Sequence, residues 1–199
     1  MSLSAKQPKP KTFRNPACRA SFIPQRLGQA VCSPKCALAT LEVQKAKEKK
    51  SLDLAGRRDI KERKEALKTR ADHAKEAQTV MNRYVRLRDA HLGCISCNKP
   101  ASWGGQWHCS HFRSVGAAAH LRFNLWNMNK SCSQCNAHLS GNIMVYRPRL
   151  VEKIGAEKVE WLECNHDLVR HEIPYLKRLK AVFTKKAKLL EARIQCNAA

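Results

Sequence analysis

The residues of this sequence best suited to chemistry are cysteines that occur in pairs. Cys94 and Cys97 form one C-x-x-C pair, and Cys132 and Cys135 form a second after an interval that runs from 98 to 131. Four thiolates complete the tetrahedral coordination of zinc and leave no position open for a substrate. Because a segment this short buries little apolar surface, a zinc ion would supply part of its folding free energy. The two pairs therefore predict a closed, structural zinc site.

Histidines and asparagines are concentrated between and directly after these pairs. They are His108, His111, His120, Asn124, Asn127, Asn129, Asn136, His138 and Asn142. The chain has no Asp or Glu between Asp89 and Glu152, so a catalytic metal in this segment must take His, Cys or Asn ligands, or acids from elsewhere. This disfavours nuclease sites in which several carboxylates bind two magnesium ions. One histidine that deprotonates water and one divalent ion that neutralises a scissile phosphate would suffice for phosphodiester hydrolysis.

This order of cysteines, histidines and asparagines resembles the HNH or ββα-metal nucleases. In those proteins a β-hairpin carries the base histidine and a following helix carries metal ligands. The resemblance implies that His111 is the general base, that His108 binds a catalytic Mg²⁺ or Mn²⁺ ion, and that Asn127 orients the histidine. Asn136 would bind the metal or act as an orienting residue. The remaining candidates for the catalytic metal are His138 and Asn142.

The charge of the chain predicts a nucleic-acid partner. The sequence has 38 Lys and Arg against 16 Asp and Glu, for a formal net charge of +22, and binding a polyanion relieves such a field. A basic helix on a membrane surface is the competing interpretation. However, no segment pairs a basic face with a broad apolar face, and none is apolar for the roughly 18 residues of a membrane span. The candidate DNA contacts are Arg113, Arg122, Lys130, Arg147 and Arg149.

The cysteines also predict a reducing compartment. Disulfide frameworks are typical of small secreted domains, whereas the start of this chain is polar and basic and has no secretory signal. We therefore expect thiolates that bind zinc in a cytoplasmic protein. Cys18, Cys32 and Cys36 form a further cluster near the N-terminus and are candidates for a second zinc site, with free thiols as the alternative.

Four regions are predicted, in a mostly α-helical fold with a small zinc-stapled ββα-metal (HNH-like) module. Residues 1–36 form a proline-rich, cysteine-containing segment. Residues 37–90 form a long basic helical arm, which is interpreted either as a solvated helix or as an arm that lies along phosphates. Residues 91–147 form the zinc-stapled module, and residues 148–199 form a C-terminal helical region.

Capping residues, glycines and prolines predict where the helices begin and end. Ser33 followed by proline is typical of a helix N-cap, and the long helix is either continuous or broken near Gly56. Pro148 and Gly155 predict the two ends of a short helix, and Pro174 predicts the start of the last one. An apolar stripe on that helix predicts core packing or packing on the long helix; its residues are Leu176, Leu179, Phe183, Leu190 and Ile194.

Several motifs resemble those of the phage NinG family. They are Cys94-Ile95-Ser96-Cys97, Ser110-His111-Phe112-Arg113-Ser114, Leu121-Arg122-Phe123-Asn124, Cys135-Asn136, Ser140-Gly141-Asn142, Tyr146-Arg147 and Ile154-Gly155. The resemblance covers essentially the whole chain. It implies a structure-specific endonuclease that cuts branched recombination intermediates such as D-loops and Holliday junctions. The layout is also similar to phage endonuclease VII, and His108, His111 and Asn136 stand where that enzyme has an acidic ligand, its base histidine and an asparagine.

Three departures from the family pattern bear on these expectations. His108 stands where family members often have Asp, and because imidazole holds hard Mg²⁺ less readily than a carboxylate, Mn²⁺ or a softer ion is favoured. Leu139 replaces a lysine, which removes one phosphate contact. Phe13 stands near the place of a fourth N-terminal cysteine, so that water, another residue or Cys109 would have to complete the second zinc site.

Two other functions share these features. A non-catalytic zinc-ribbon protein that binds DNA or RNA needs the same charge and zinc but no histidine at a defined position. A degenerate nuclease would bind junctions without cutting them.

Symmetric cutting of two strands predicts a homodimer with the long helix as its interface, and host or phage recombination proteins are candidate partners. Five aromatic residues predict packing around the hairpin, with stacking on an unpaired base as the alternative: Trp103, Trp107, Phe112, Phe123 and Trp126.

Overall fold

The computed structural model describes residues 9–12, 18–167 and 169–198. The chain forms two compact units, which meet in sequence between Leu67 and Lys68. Most of the described residues are helical, and the strands form two small antiparallel sheets of two strands each. The prediction of a mostly α-helical fold is therefore confirmed. Within the described ranges, no helix has both the length and the apolar character needed to cross a membrane.

The first unit consists of a small hairpin and one long helix. Strands β1 (Lys11–Thr12) and β2 (Ser21–Phe22) pair antiparallel, and helix α1 (Pro34–Ala66) follows. The Ser33 hydroxyl accepts a hydrogen bond from the third residue of α1, so the predicted N-cap is confirmed. Gly56 lies inside α1, so a break near it is wrong. Because α1 buries none of its residues, this glycine costs about 1 kcal/mol relative to alanine but removes no packed side chain.

The second unit contains a two-stranded hairpin and four α-helices. They are α2 (Arg70–Arg88), β3 (Trp107–His111), β4 (Met128–Cys132), α3 (Ile143–Ile154), α4 (Ala156–Cys164) and α5 (Ile173–Ala198). A capping box begins α2, since the Thr69 hydroxyl accepts from the N–H of Asp72 and the Asp72 carboxylate accepts from the N–H of Thr69. This box marks the break in the long basic segment.

Strands β3 and β4 pair antiparallel over their full length. Because side chains alternate along a strand, His108 and His111 lie on opposite faces of the hairpin. The face that carries Cys109 packs against α2 and α5. On the other face, the Asn129 side chain donates a hydrogen bond to the Tyr146 hydroxyl of α3 at 3.1 Å. The hairpin is therefore enclosed between helices, and each face has its own neighbours.

Two apolar clusters hold the second unit together. The first joins α2, the hairpin and α5, and its buried residues are Ala77, Met81, Val85, Cys109, Phe123, Met128, Leu176 and Phe183. The second joins the segment after β3 to α3 and α4, and its buried residues are Phe112, Ala118, Leu121, Tyr146, Leu150, Val159 and Leu162. The first part of the apolar stripe of α5 thus packs on α2, as predicted. The last residue of the stripe, Ile194, is 42% exposed.

The C-terminal helices begin and end close to the predicted residues, with one exception. Helix α3 begins at Ile143, so a start at Pro148 is wrong. Pro148 lacks the N–H that would bond the carbonyl of Met144, but the Met144 side chain is 87% exposed, so water can reach this side of the helix. Gly155, with φ 92, ends α3 as predicted, and Pro174 is the second residue of α5.

Candidate metal centre and hairpin site

The two C-x-x-C pairs converge on one cluster. The Sγ atoms of Cys94, Cys97, Cys132 and Cys135 all lie within 4.8 Å of one another, and the Cys97 and Cys132 sulfurs are 3.8 Å apart. Tetrahedral zinc with Zn–S bonds of about 2.3 Å places its sulfur ligands about 3.8 Å apart. Cys97 is half-buried and the other three thiols are buried. The donor set therefore fits a structural metal ion.

Backbone N–H groups point at the sulfur atoms of this cluster. Cys94 Sγ accepts from the N–H groups of Ser96 at 3.4 Å and Cys132 at 3.2 Å, and Cys132 Sγ accepts from the N–H of Cys135 at 3.4 Å. Burial raises the pKa of Cys132, but the N–H of Cys135 and hydrogen bonds from the neighbouring thiols outweigh it and lower the pKa to about 7. Burial raises the pKa values of Cys94 and Cys135, so Cys132 is the cysteine at which the fold favours a thiolate.

Arg149 and Asn142 support the first cysteine pair from α3 and its N-cap. The Arg149 guanidinium donates to the carbonyl oxygens of Cys94 at 3.1 Å and Cys97 at 2.6 Å, and Asn142 Nδ2 donates to the carbonyl of Ser96 at 2.7 Å. Such contacts fix the orientation of metal ligands. The structure thus engages both side chains in the first knuckle, and the phosphate contact of Arg149 and the catalytic-metal ligation of Asn142 stay predictions.

A second polar site lies where the hairpin joins the following turn. His108 Nδ1 on β3 lies 3.2 Å from Nδ2 of Asn136, which belongs to the π-helical turn Gln134–His138 after β4. Ser131 pairs with His108 across the hairpin; it is fully buried, and its hydroxyl has no hydrogen-bond partner among the described residues. His138, another predicted ligand, is exposed. Two of the predicted metal residues therefore meet beside an unsatisfied buried hydroxyl.

His111 has different neighbours. Its Nε2 lies 3.0 Å from the carbonyl oxygen of Arg122, so Nε2 carries the proton and Nδ1 the lone pair. Burial is the main cause that lowers the pKa of His111, and the ring is therefore neutral near pH 7. Asn127 is fully buried; it accepts from the N–H of Arg113 at 2.7 Å and donates to the carbonyls of Arg113 and Leu121, each at 3.1 Å. Asn127 thus fixes the backbone close to His111 and next to Arg122, the two residues that are in contact.

The predicted base and the predicted metal ligand do not meet in this structure. His108 contacts Asn136 on one face of the hairpin, whereas His111 contacts the loop between β3 and β4 on the other. Three residues along a strand span about 10 Å. Among the described residues, no group of three or more His, Cys, Asp or Glu side chains at metal-binding distances includes either histidine. The assignment of a base therefore stays a prediction.

The arginines and the lysine predicted to contact DNA differ in their availability. Lys130 is only 4% exposed, and its ammonium donates to a backbone carbonyl at 3.0 Å, which corrects its assignment as a phosphate contact. Arg147 pairs with Glu163 through two hydrogen bonds of 2.8 and 3.0 Å. Arg113 and Arg122 are half-buried. Only Lys130 of the five is buried, whereas the four arginines keep side-chain surface that a phosphate could reach.

Sequence reasoning missed the supporting role of Asp89. This carboxylate is 3% exposed and accepts hydrogen bonds from Arg88 at 2.7 Å, from Lys153 at 2.9 Å and from the N–H of Lys130 at 3.2 Å. It therefore joins the end of α2 to β4 and α3. The one signal in the sequence was that Asp89 is the last acid before the acid-free segment.

The N-terminal cysteines also come together. The Cys18 and Cys32 sulfurs lie 3.6 Å apart and the Cys32 and Cys36 sulfurs 3.3 Å apart, and all three lie within 4.8 Å of one another. The three thiols could therefore hold a metal. Cys109 does not qualify as a fourth ligand because it is buried in the apolar core of the second unit, where burial raises its pKa to about 12. Phe13 lies outside the described residues.

Comparisons with known proteins agree with the resemblance noted in the sequence. The family model described as Bacteriophage Lambda NinG protein matches residues 6–193. Protein ninG of Escherichia phage lambda is 38% identical over 193 residues, which cover 92% of this chain and 94% of the relative. Protein ninG of Salmonella phage P22 is 37% identical over 186 residues, which cover 88% and 91%. No solved structure matches significantly. The chain therefore belongs to the NinG family.

Proposed function

We propose that this NinG-family chain is a metal-dependent endonuclease that cuts branched recombination intermediates such as Holliday junctions and D-loops. The observation that carries the proposal is the contact between His108 and Asn136 beside the four-cysteine cluster. It joins a hairpin strand to the turn that follows the hairpin, and this supports the proposal of an HNH-like site. The proposed reaction is hydrolysis of a phosphodiester with a single divalent ion.

His108 would bind that ion, and Asn136 would orient the His108 ring. Rotating the Asn136 amide by half a turn brings its Oδ1 against the Nδ1–H of His108 and leaves Nε2 of His108 with a free lone pair. The Ser131 hydroxyl beside them has no partner in the part of the chain that the structure describes, and water at the ion would satisfy it. Because imidazole is among the donors, Mn²⁺ suits the site better than Mg²⁺. When bound, the ion neutralises the scissile phosphate and the leaving 3′ oxygen.

His111 is the proposed general base, and its geometry makes a specific demand. Because Nε2 donates to the Arg122 carbonyl, the proton from water must be accepted at Nδ1. The lowered pKa of His111 keeps this nitrogen unprotonated to a lower pH than an ordinary histidine. If His111 is the base, the acidic limb of the cleavage profile should have its midpoint below the ordinary histidine value of 6.5.

The basic surface supports DNA binding that depends little on sequence. A net charge of +22 favours contacts to phosphates, which fix register without reading bases and weaken steeply with salt. We propose that the protein selects branches by their shape and that it acts as a homodimer, together with other recombination proteins. The proposed location is the host cytoplasm, where zinc-bound thiolates stay reduced.

The test is cleavage of a labelled four-way junction beside a linear duplex of the same sequence, with Mg²⁺ or Mn²⁺. Wild type is compared with His108→Ala and His111→Ala, and with His91→Ala as a control, because His91 is an exposed histidine outside the hairpin. We expect wild type and the control to cut the junction. His108→Ala and His111→Ala should bind it normally and cut about 10²- to 10⁴-fold more slowly.

Other outcomes would redirect the proposal. If only His108→Ala stopped cutting, the protein would still be a nuclease, but His111 would not be its general base. If wild type bound the junction but did not cut it in either metal, the degenerate nuclease or the zinc-ribbon binder would be favoured. The presence of His108 in place of an acidic ligand is the observation that favours the degenerate nuclease. Equal cutting by all variants would place the active site elsewhere.

A further inference from the structure

Two tryptophans form an exposed corner on the second unit. Trp126 precedes β4 and Trp161 lies on α4; their ring centroids are 5.7 Å apart and the ring planes are nearly perpendicular, at 89°. The Lys158 ammonium lies 5.3 Å from the centroid of the Trp126 ring. The two tryptophans are 41% and 43% exposed. We call these three residues the tryptophan corner.

The corner differs from the other tryptophan pair of the chain. Trp103 and Trp107 also meet edge to face, at 5.1 Å, but they pack against the four-cysteine cluster. Packing therefore explains Trp103 and Trp107. It does not explain why two large aromatic side chains of the corner each leave about two-fifths of their surface in water, since a pair of this size normally lies in a core or an interface.

The backbone beneath the corner is held rigidly. The N–H of Trp126 donates to Asn124 Oδ1 at 2.8 Å, and its carbonyl accepts from Asn129 Nδ2 at 3.2 Å. Asn129 is 1% exposed and also accepts from Lys153 at 2.8 Å. On the other side, α4 is anchored because its Val159 is fully buried. A preorganised aromatic surface loses little conformational entropy when a flat ligand stacks on it.

The corner carries a cationic group of its own, because the Lys158 ammonium lies over the Trp126 ring. The chain that presents it has a formal net charge of +22. Exposed aromatic rings with basic side chains around them are the combination by which proteins bind single-stranded nucleic acid.

We propose that the tryptophan corner stacks an unpaired nucleobase at a DNA branch. The two perpendicular rings offer a face and an edge to one flat base, while Lys158 attracts its phosphate. A duplex presents no free base face to this surface, so the corner would favour branched over linear DNA. The inference rests on the DNA binding of the proposed function but not on cleavage.

The test is binding of a four-way junction that carries an unpaired 2-aminopurine at its branch point, without added Mg²⁺ or Mn²⁺. Stacking on tryptophan quenches this base. The full-length Trp126→Leu/Trp161→Leu variant keeps apolar bulk but loses the aromatic faces, and Trp126→Phe/Trp161→Phe keeps them. Tyr175→Leu is the matched control, because Tyr175 is 45% exposed and lies on α5. Unchanged zinc content and circular dichroism would show that each variant is folded.

We expect wild type, the phenylalanine variant and the Tyr175 control to quench the probe. The leucine variant should leave the fluorescence unchanged and bind the junction about five- to a hundred-fold more weakly, with unchanged affinity for the duplex. The inference would be overturned if the leucine variant quenched the probe and bound the junction as wild type does. It would also be overturned if this variant lost affinity for junction and duplex equally, or if wild type did not bind DNA.

The two proposals can fail separately. If wild type cuts junctions and the leucine variant keeps both its quenching and its preference for branches, the nuclease stands and the corner does not. If wild type quenches the probe but cuts nothing in either metal, the corner stands and the nuclease does not.

Discussion

The two cysteine clusters of this chain contain the same ligand atoms in different surroundings. The cluster of the second unit has four sulfurs, three from buried residues, and N–H groups of neighbouring residues donate to them. The cluster of the first unit has three half-buried cysteines. There, Cys32 donates to the Cys36 sulfur at 3.3 Å, which is the main cause that raises the pKa of Cys32 to about 11.

The difference shows what makes a metal site part of a fold. The four-cysteine cluster is surrounded by a strand, a turn and helix α3, and Arg149 bonds the carbonyls on both sides of its first pair. The N-terminal cluster lies next to the start of α1, a helix that buries none of its residues. Loss of metal from the former should therefore remove much of the stability of its unit, whereas loss from the latter should affect only its own surroundings.

The largest effect is expected for Cys132→Ser. A structural zinc site contributes on the order of 10 kcal/mol, which is comparable to the entire stability of a domain, so the hairpin module should not fold. The measurements are zinc content and thermal unfolding by circular dichroism. Cys164→Ser is the matched control, because Cys164 is exposed, and it should change neither. A folded, zinc-free Cys132→Ser protein would contradict the structural role of the cluster.

A smaller effect is expected for Arg149→Ala, which tests the support around the metal. It removes two charge-assisted hydrogen bonds to the knuckle backbone, and we expect a loss of about 3 kcal/mol with faster release of zinc to a chelator. Arg147→Ala is the control on the same helix, because Arg147 is exposed and its ion pair with Glu163 is screened by water and contributes little. Equal effects of the two variants would show that Arg149 does not stabilise the site.

A still smaller effect concerns the ion pairs between α2 and α5 in the second unit. Hydrogen bonds from Lys180, and then from Lys68, lower the pKa of Glu76 from 4.5 to about 2. A lowered folded-state pKa stabilises the fold above pH 4.5, and this contribution is lost as the pH falls towards 2. Glu76→Gln should therefore lower the melting temperature slightly at pH 7 and converge with wild type at pH 2–3. A constant difference across this range would contradict the assignment.

The smallest effect on stability is expected for Cys32→Ser in the N-terminal cluster. If the three thiols hold a metal, the variant should contain one fewer ion per chain, and the thermal unfolding of the second unit should not change, because the cluster is not part of its core. Metal content by atomic spectroscopy and the melting curve give both values from one sample. A melting temperature lowered as far as in Cys132→Ser would show that the two clusters are equivalent.

Local signals in the sequence were sufficient for most helix ends and for the metal ligands. Ser33, Gly155 and Pro174 act through their own backbone geometry, and they end or begin helices as expected. The predicted start of α3 at Pro148 is wrong. A helix tolerates an internal proline when water can reach the carbonyl that the proline leaves without a hydrogen bond. That accessibility depends on which side of α3 faces its neighbours.

The sequence by itself determined the family, the mostly helical fold and the four cysteines of the metal cluster, because ligand spacing, capping and charge are properties of short segments. Only the tertiary structure decided the partners of individual side chains. It pairs His108 with Asn136 and directs His111 to Arg122, because the pleat of β3 sends residues three apart to opposite faces. It also buries Lys130, because the end of α2, the middle of β4 and Lys153 of α3 meet around the Asp89 carboxylate.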